Sequence, residues 1–182
     1  MLECDAGRAA DAGLAGLPAD CRARPVRDDD ALDLIALISR CWADYPGCVF
    51  DLDRENPELR TLASHMAGKG GALMVIERGG RIVAACGWQP AARAGWLELV
   101  KLYTHPDARR LGLARALTAW VIASARAQGM AGVELWTDTR FTTAHRHYQR
   151  IGFIASGRVR ALHDLSDTSE YHYALALGSA TA

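Results

Sequence analysis

Lysine is almost absent from this chain of 182 residues: only Lys69 and Lys101 occur, so 19 of its 21 cations are arginine. Against 21 acidic residues the formal net charge is zero. A neutral chain lacks the basic surface that displaces counterions from a nucleic acid, so no nucleic-acid partner is expected. No run of about 18 apolar residues occurs, which excludes a membrane-spanning helix. The start, Met1-Leu2-Glu3-Cys4-Asp5, has neither the basic segment nor the apolar stretch of a signal peptide. The cysteines Cys4, Cys21, Cys41, Cys48 and Cys86 are odd in number and unpaired in spacing. They fit neither a zinc pattern nor a secreted disulfide framework, so the expectation is a reduced, cytoplasmic protein without a metal. Gly-Lys-Ser/Thr and Gly-x-Gly-x-x-Gly are both missing, which removes the common nucleotide-phosphate loops. No internal repeat and no interdomain linker is visible.

What is present suits one domain with a sizeable core, since 50% of the residues are hydrophobic and 23% charged. Residues 1–21, rich in Ala, Gly and Asp, read as a flexible leader, and 22–178 as the domain. A short strand is expected around Val26. Asp28, Asp29 and Asp30 offer N-cap chemistry to a helix over about 30–43, where Leu34, Ile35, Ile38, Cys41 and Trp42 recur at helical spacing. Pro57 opens a second helix that Gly68–Gly71 ends. Strands are expected over 72–77 and 82–88 around Gly79-Gly80, and over 96–104. In the last of these, strict alternation puts Leu97, Leu99, Lys101 and Tyr103 on one face and Glu98, Val100 and Leu102 on the other. A long helix over 112–128, a strand over 133–137, a short helix over 142–150 and strands over 153–161 and 169–177 complete the order. That order implies an α/β fold: a mixed, mostly antiparallel sheet with helices on both faces.

Arg109-Arg110-Leu111-Gly112-Leu113-Ala114 lies where a strand gives way to the long helix. A helix N-terminus offers unpaired N–H groups and a positive dipole end, and Gly112 lets backbone approach a ligand closely. Arg109 and Arg110 add cationic donors, so a pyrophosphate suits the turn. Taken alone, such a hexapeptide is equally a plain turn. Further on comes Ala144-x-x-x-Tyr148-x-x-x-Gly152-Phe153.

Arg-x-x-Gly-x-Ala followed at this separation by Tyr-x-x-x-Gly-Phe resembles the GNAT N-acetyltransferase family. The resemblance spans about 25–177 and is strong from Leu97 to Phe153. It implies the acyl-CoA N-acyltransferase fold and acetyl-CoA as co-substrate, without a metal. It further implies that the strand before the turn splays from its parallel neighbour, often at a bulge. Backbone at Leu102, Tyr103 and Thr104 would then pair with the pantetheine arm. Arg109, Gly112 and Ala114 fill the fixed positions of the family's pyrophosphate loop, and backbone from Arg110 through Leu111, Gly112, Leu113 and Ala114 to Arg115 would hold the phosphates. Tyr148 would protonate the leaving thiolate, and Glu98 falls where several members carry a general base. The implied reaction is direct acetyl transfer to a primary amine in a ternary complex. An acyl-CoA-binding sensor that does not turn over is the alternative. A homodimer is common among such proteins, and no membrane partner is implied.

Two departures stand out: Phe141 replaces an Asn that contacts pantetheine in many members, and Arg110 replaces a frequent Gly. Arg140, Thr142 or Thr143 is the expected substitute for the Asn. His145 and His147 are two apart on a helix, about 200° around it, and so do not share an ion. Cys48, Trp42, Tyr45 and Phe50 read as core or pocket wall. Asp51 and Asp53 read as solvated acids or as attractants for a cation. Glu170-Tyr171-His172-Tyr173 reads as a half-exposed strand.

Overall fold

The computed structural model describes residue 14 and residues 16–178. Most of the leader expected over 1–21 therefore lies outside the described residues. Within its described part, Leu14 and Leu17 pack against the core, and Cys21 already opens a strand.

Seven strands form one sheet: β1 (Cys21–Pro25), β2 (Ala72–Arg78), β3 (Arg81–Pro90), β4 (Trp96–Thr104), β5 (Gly132–Asp138), β6 (Ile154–Ala161) and β7 (Ser169–Ala176). Their order is β1-β2-β3-β4-β5-β7-β6, and every neighbouring pair is antiparallel except β4–β5. Four helices, α1 (Ala31–Trp42), α2 (Leu62–Gly68), α3 (Leu113–Ala127) and α4 (Thr142–Ile151), cover the two faces. Period-2 alternation separates two cores. On β2, Leu73 and Val75 join Leu34, Leu37, Ile38, Leu62 and Met66 beneath α1 and α2. Met74 and Ile76 face the other way, onto Leu113, Leu117 and Val121 of α3.

Three local expectations are corrected. Residues 57–61 form a 3-10 turn, and α2 itself begins only at Leu62. The strand expected around Val26 is Cys21–Pro25 and ends just before that residue. Asp28, Asp29 and Asp30 form a 3-10 turn and do not cap α1. Asp28 accepts from the Ser64 backbone, while Asp30 accepts from Arg27 N at 2.7 Å and from both Nη atoms of Arg24. Arg24 also bonds Glu77, joining β1, β2 and the start of α1. Burial raises the Asp30 carboxyl, but these donors outweigh it and hold the group below the usual carboxylate range. A depressed carboxyl stabilises the fold above its unfolded value and loses that contribution as pH falls. Asp30→Asn should cost about 2 kcal/mol at neutral pH. Urea titrations at pH 7 and pH 3 should show the variant's deficit shrinking at the lower pH; an equal deficit at both would refute the charged role.

Two distortions position the site. First, β4 and β5 pair at only three positions: Trp96 with Gly132, Leu97 with Val133, and Glu98 with Glu134. The Trp96 ring lies where a side chain at Gly132 would stand, so only glycine admits this junction. Beyond Glu98 the strands diverge. Second, β4 carries an extra residue: Gly87 pairs with Val100 but Ala85 pairs with Tyr103. Lys101 sits in this bulge at φ 53°, a left-handed conformation that costs an L-residue about 1–2 kcal/mol.

Candidate active site

The bulge inverts the faces expected for the end of β4. Leu97 and Leu99 pack with α3, as strict alternation requires, and so does Leu102. Val100 and Tyr103 instead pack on the α1/α2 side, where Lys101 Nζ meets Glu58 Oε1 at 2.8 Å. One inserted residue flips everything after it, so Tyr103 and Lys101, and not Leu102, share the face of Glu98.

A cavity of about 230 Å³ fills the opening between β4 and β5. Glu98 stands at its apex and Tyr148 of α4 on its wall, so the two expected catalytic side chains line one space. Gln89, directly opposite on β3, donates from Nε2 to Glu98 Oε2 at 2.9 Å. Tyr148 is buried, and burial pushes its phenol well up, with Cys86 and Tyr103 adding to the effect. Among the described residues its hydroxyl has no hydrogen-bond partner. The Gly152 stop explains the surrounding motif. At φ 107° it ends α4, the Phe153 amide returns to Tyr148 O at 3.0 Å, and the Phe153 ring packs edge-on to Tyr148.

The other expected binding residues fall as follows. Tyr103 and Thr104 pair with Ala85 and Ala84 of β3, and none of Leu102, Tyr103 and Thr104 pairs with β5. Gly112, at φ 79°, precedes α3, whose first hydrogen bond runs from Ala116 N to Gly112 O. The amides of Leu113, Ala114 and Arg115 are therefore the open donors of this helix start. A side chain at Gly112 would meet nothing within 4 Å, so the space before these amides is clear. Arg110, at φ 65°, holds a conformation that glycine adopts without strain. Leu111 packs against the α3 core. Arg109 Nη2 binds Asp44 at 2.7 Å, and Asp44 also holds Arg40. Its guanidinium thus ties the turn to the chain just after α1.

Phe141, at the start of α4, stacks on Tyr45 with ring centroids 4.5 Å apart. Arg140, one expected substitute for the missing Asn, is engaged by Asp138, Ser166 O and Thr168 Oγ1. His145 Nε2 meets Asp138 O and His147 Nε2 meets Thr118 Oγ1, so the two imidazoles serve separate neighbours. Among the described residues no group of three His, Cys, Asp or Glu is arranged to hold a metal. Cys48 lines the cavity, with its thiol pushed up by burial. Trp42 lines it too, donating to the Tyr103 hydroxyl at 3.1 Å, while Phe50 packs edge-on to Trp42. Asp51 and Asp53 bind Arg54 N and Arg60 and stay outside the cavity.

On the far wall the sequence offers a half-exposed strand at Glu170 but no motif that singles out a site residue. Because β7 inserts between β5 and β6, the β6–β7 hairpin brings Arg160, Asp164 and Glu170 to the cavity. Burial pushes the Glu170 carboxyl up; Arg160 opposes this, and Asp138 and Glu98 reinforce it. No local pattern marks these residues, since only strand order brings them here.

Residues 33–153 match the acetyltransferase (GNAT) family. Human N-acetyltransferase 8 is 29% identical over 126 residues, covering 67% of this chain and 54% of that protein. Mycothiol acetyltransferase of Sanguibacter keddieii is 32% identical over 141 residues, covering 71% of this chain and 41% of that protein. The chain thus spans roughly half the length of these relatives or less. Among solved structures, a GNAT acetyltransferase from Staphylococcus aureus Mu50 superposes with a TM-score of 0.74 at 20% identity, covering 86% of this chain and 99% of that one. The Salmonella typhimurium protein yncA, solved with its cofactor acetyl-CoA, gives a TM-score of 0.69 at 15% identity, covering 90% and 97%.

Proposed function

This chain belongs to the acetyltransferase (GNAT) family, and from that membership we propose that it transfers an acetyl group from acetyl-CoA directly to a primary amine. The observation that carries the reading is the opening between β4 and β5, with Glu98 at its apex and Tyr148 on its wall. Acetyl-CoA supplies an activated acetyl thioester. The clear space before the amides of Leu113, Ala114 and Arg115 fits its pyrophosphate, and the unpaired edge of β4 over Leu102–Thr104 fits its pantetheine arm. Glu98 takes a proton from the acceptor ammonium, directly or through a water, so that the amine attacks in its neutral form. Tyr148 donates its phenolic proton to the departing sulfur and is reprotonated from solvent, into which the nitrogen sheds its second proton as the amide forms. The C–N bond forms as the C–S bond breaks, with no covalent enzyme intermediate. Among the described residues Cys21, Cys41, Cys48 and Cys86 are free thiols, which supports a reduced setting for the proposed reaction.

Thiol release from acetyl-CoA across a panel of primary amines tests the reading. Binding by calorimetry without release on any amine would favour a non-catalytic acyl-CoA sensor. Gly112→Asp should weaken acetyl-CoA binding about 30-fold, from a carboxylate beside the phosphates and a side chain at positive φ. Gly112→Ala, which adds strain without charge, should lose less. Unaltered affinity in Gly112→Asp would remove the phosphate site from this turn.

A further inference from the structure

Charges around the cavity are mostly closed in pairs: Lys101 with Glu58, and Asp138 with Arg140. Asp164 is turned onto the backbone amide of Thr168 at 2.7 Å. Two places stay unbalanced. Glu98 has only the neutral amide of Gln89 as partner. At the opposite wall, Arg158 and Arg160 crowd over one indole, with guanidinium carbons 5.1 and 4.3 Å from the Trp136 ring centroid. Arg160 Nε donates to Glu170 at 2.6 Å, and among the described residues Arg158 has no carboxylate partner. Among the described residues neither Nη of Arg160 has a hydrogen-bond partner. Nε is fixed by Glu170 and the guanidinium plane by Trp136, so the remaining fork is held ready for a planar anion.

We propose that Arg160 is a specificity-determining residue that holds a carboxylate on the acceptor, so that the substrate class is a zwitterion: a primary amine directed to Glu98 and a carboxylate directed to Arg160. Free amino acids and peptides with a free C-terminus share this chemistry. The inference rests on the acetyltransferase reading for its use, but its binding content is separately testable.

Matched pairs of L-amino acids and dipeptides, each with a free and an amidated carboxyl, separate the outcomes. In the wild type, kcat/KM for the best free acid should exceed that for its amide by 10-fold or more. In Arg160→Gln that ratio should collapse to near 1, through a higher KM for the acid and not through kcat. Arg160→Lys, which keeps the charge but not the fork, should fall between. Whether the amino acids or the dipeptides respond identifies which carboxylate is read. Equal or better turnover of the amides by the wild type, or an equal loss on both members in Arg160→Gln, would overturn the assignment. Should no member of this panel release thiol while another primary amine does, the zwitterion class is overturned and the transfer reading stands; release on no amine at all defeats the transfer reading. The same pairs titrated by calorimetry into the coenzyme A complex then decide the anion site. A preference for the acid that Arg160→Gln abolishes supports it, and no preference overturns it.

Discussion

Glu98→Gln should lower kcat at pH 7 by about 10²–10³-fold, in the range general-base catalysis contributes. A primary amine with a pKa near 10.4 is neutral in only about one molecule in 2,500 at pH 7. The carboxylate at the apex removes the excess proton at the place of attack, so its loss leaves only the pre-existing free amine. The variant's rate should therefore climb nearly tenfold per pH unit towards the acceptor's own pKa and approach the wild type there. Glutamine preserves the side chain's size, so acetyl-CoA affinity measured by calorimetry should stay within about twofold. A kcat within threefold of wild type at pH 7, with chemistry shown to be rate-limiting, would remove Glu98 from the mechanism.

The second large effect belongs to Tyr148. Tyr148→Phe should reduce kcat about 10²-fold while leaving acetyl-CoA affinity unchanged. The hydroxyl has no protein partner among the described residues, so its removal strands no buried group. Thermal stability should accordingly move by less than about 1 kcal/mol. Because burial raises the phenol, Tyr148 stays protonated across the whole useful pH range and remains a donor above pH 10. Any alkaline loss of activity below that pH should persist in form when Tyr148 is replaced. An unchanged kcat under rate-limiting chemistry would assign the sulfur's proton to another source.

Legibility in the sequence followed locality. The turn at Gly112 and the stop at Gly152 were readable because each is a short-range backbone event: a positive φ beside a helix end. The hairpin at Gly79-Gly80 and the boundaries of β4 were readable for the same reason. The faces of Leu102 and Tyr103 were not, because a bulge is set by how β4 meets β3 and leaves no mark on the hydrophobic pattern of β4.

Composition and local pattern by themselves determined the α/β architecture, the order of its elements, the glycine turn before the long helix and the glycine stop after Tyr148. Tertiary structure alone decided that Glu98 and Tyr148 share a cavity, that Arg109 meets Asp44, and that Arg160 stands over Trp136 on the far wall. The physical reason is distance along the chain. Arg109 and Asp44 are 65 residues apart, and Val49 and Ser166, joined across the cavity's rim, are 117 apart. Such contacts follow from strand order and register, which no window of local periodicity contains. The scarcity of lysine, uninformative in the sequence, gains a place in the fold: one of the two, Lys101, occupies the bulge that inverts β4 beside the site.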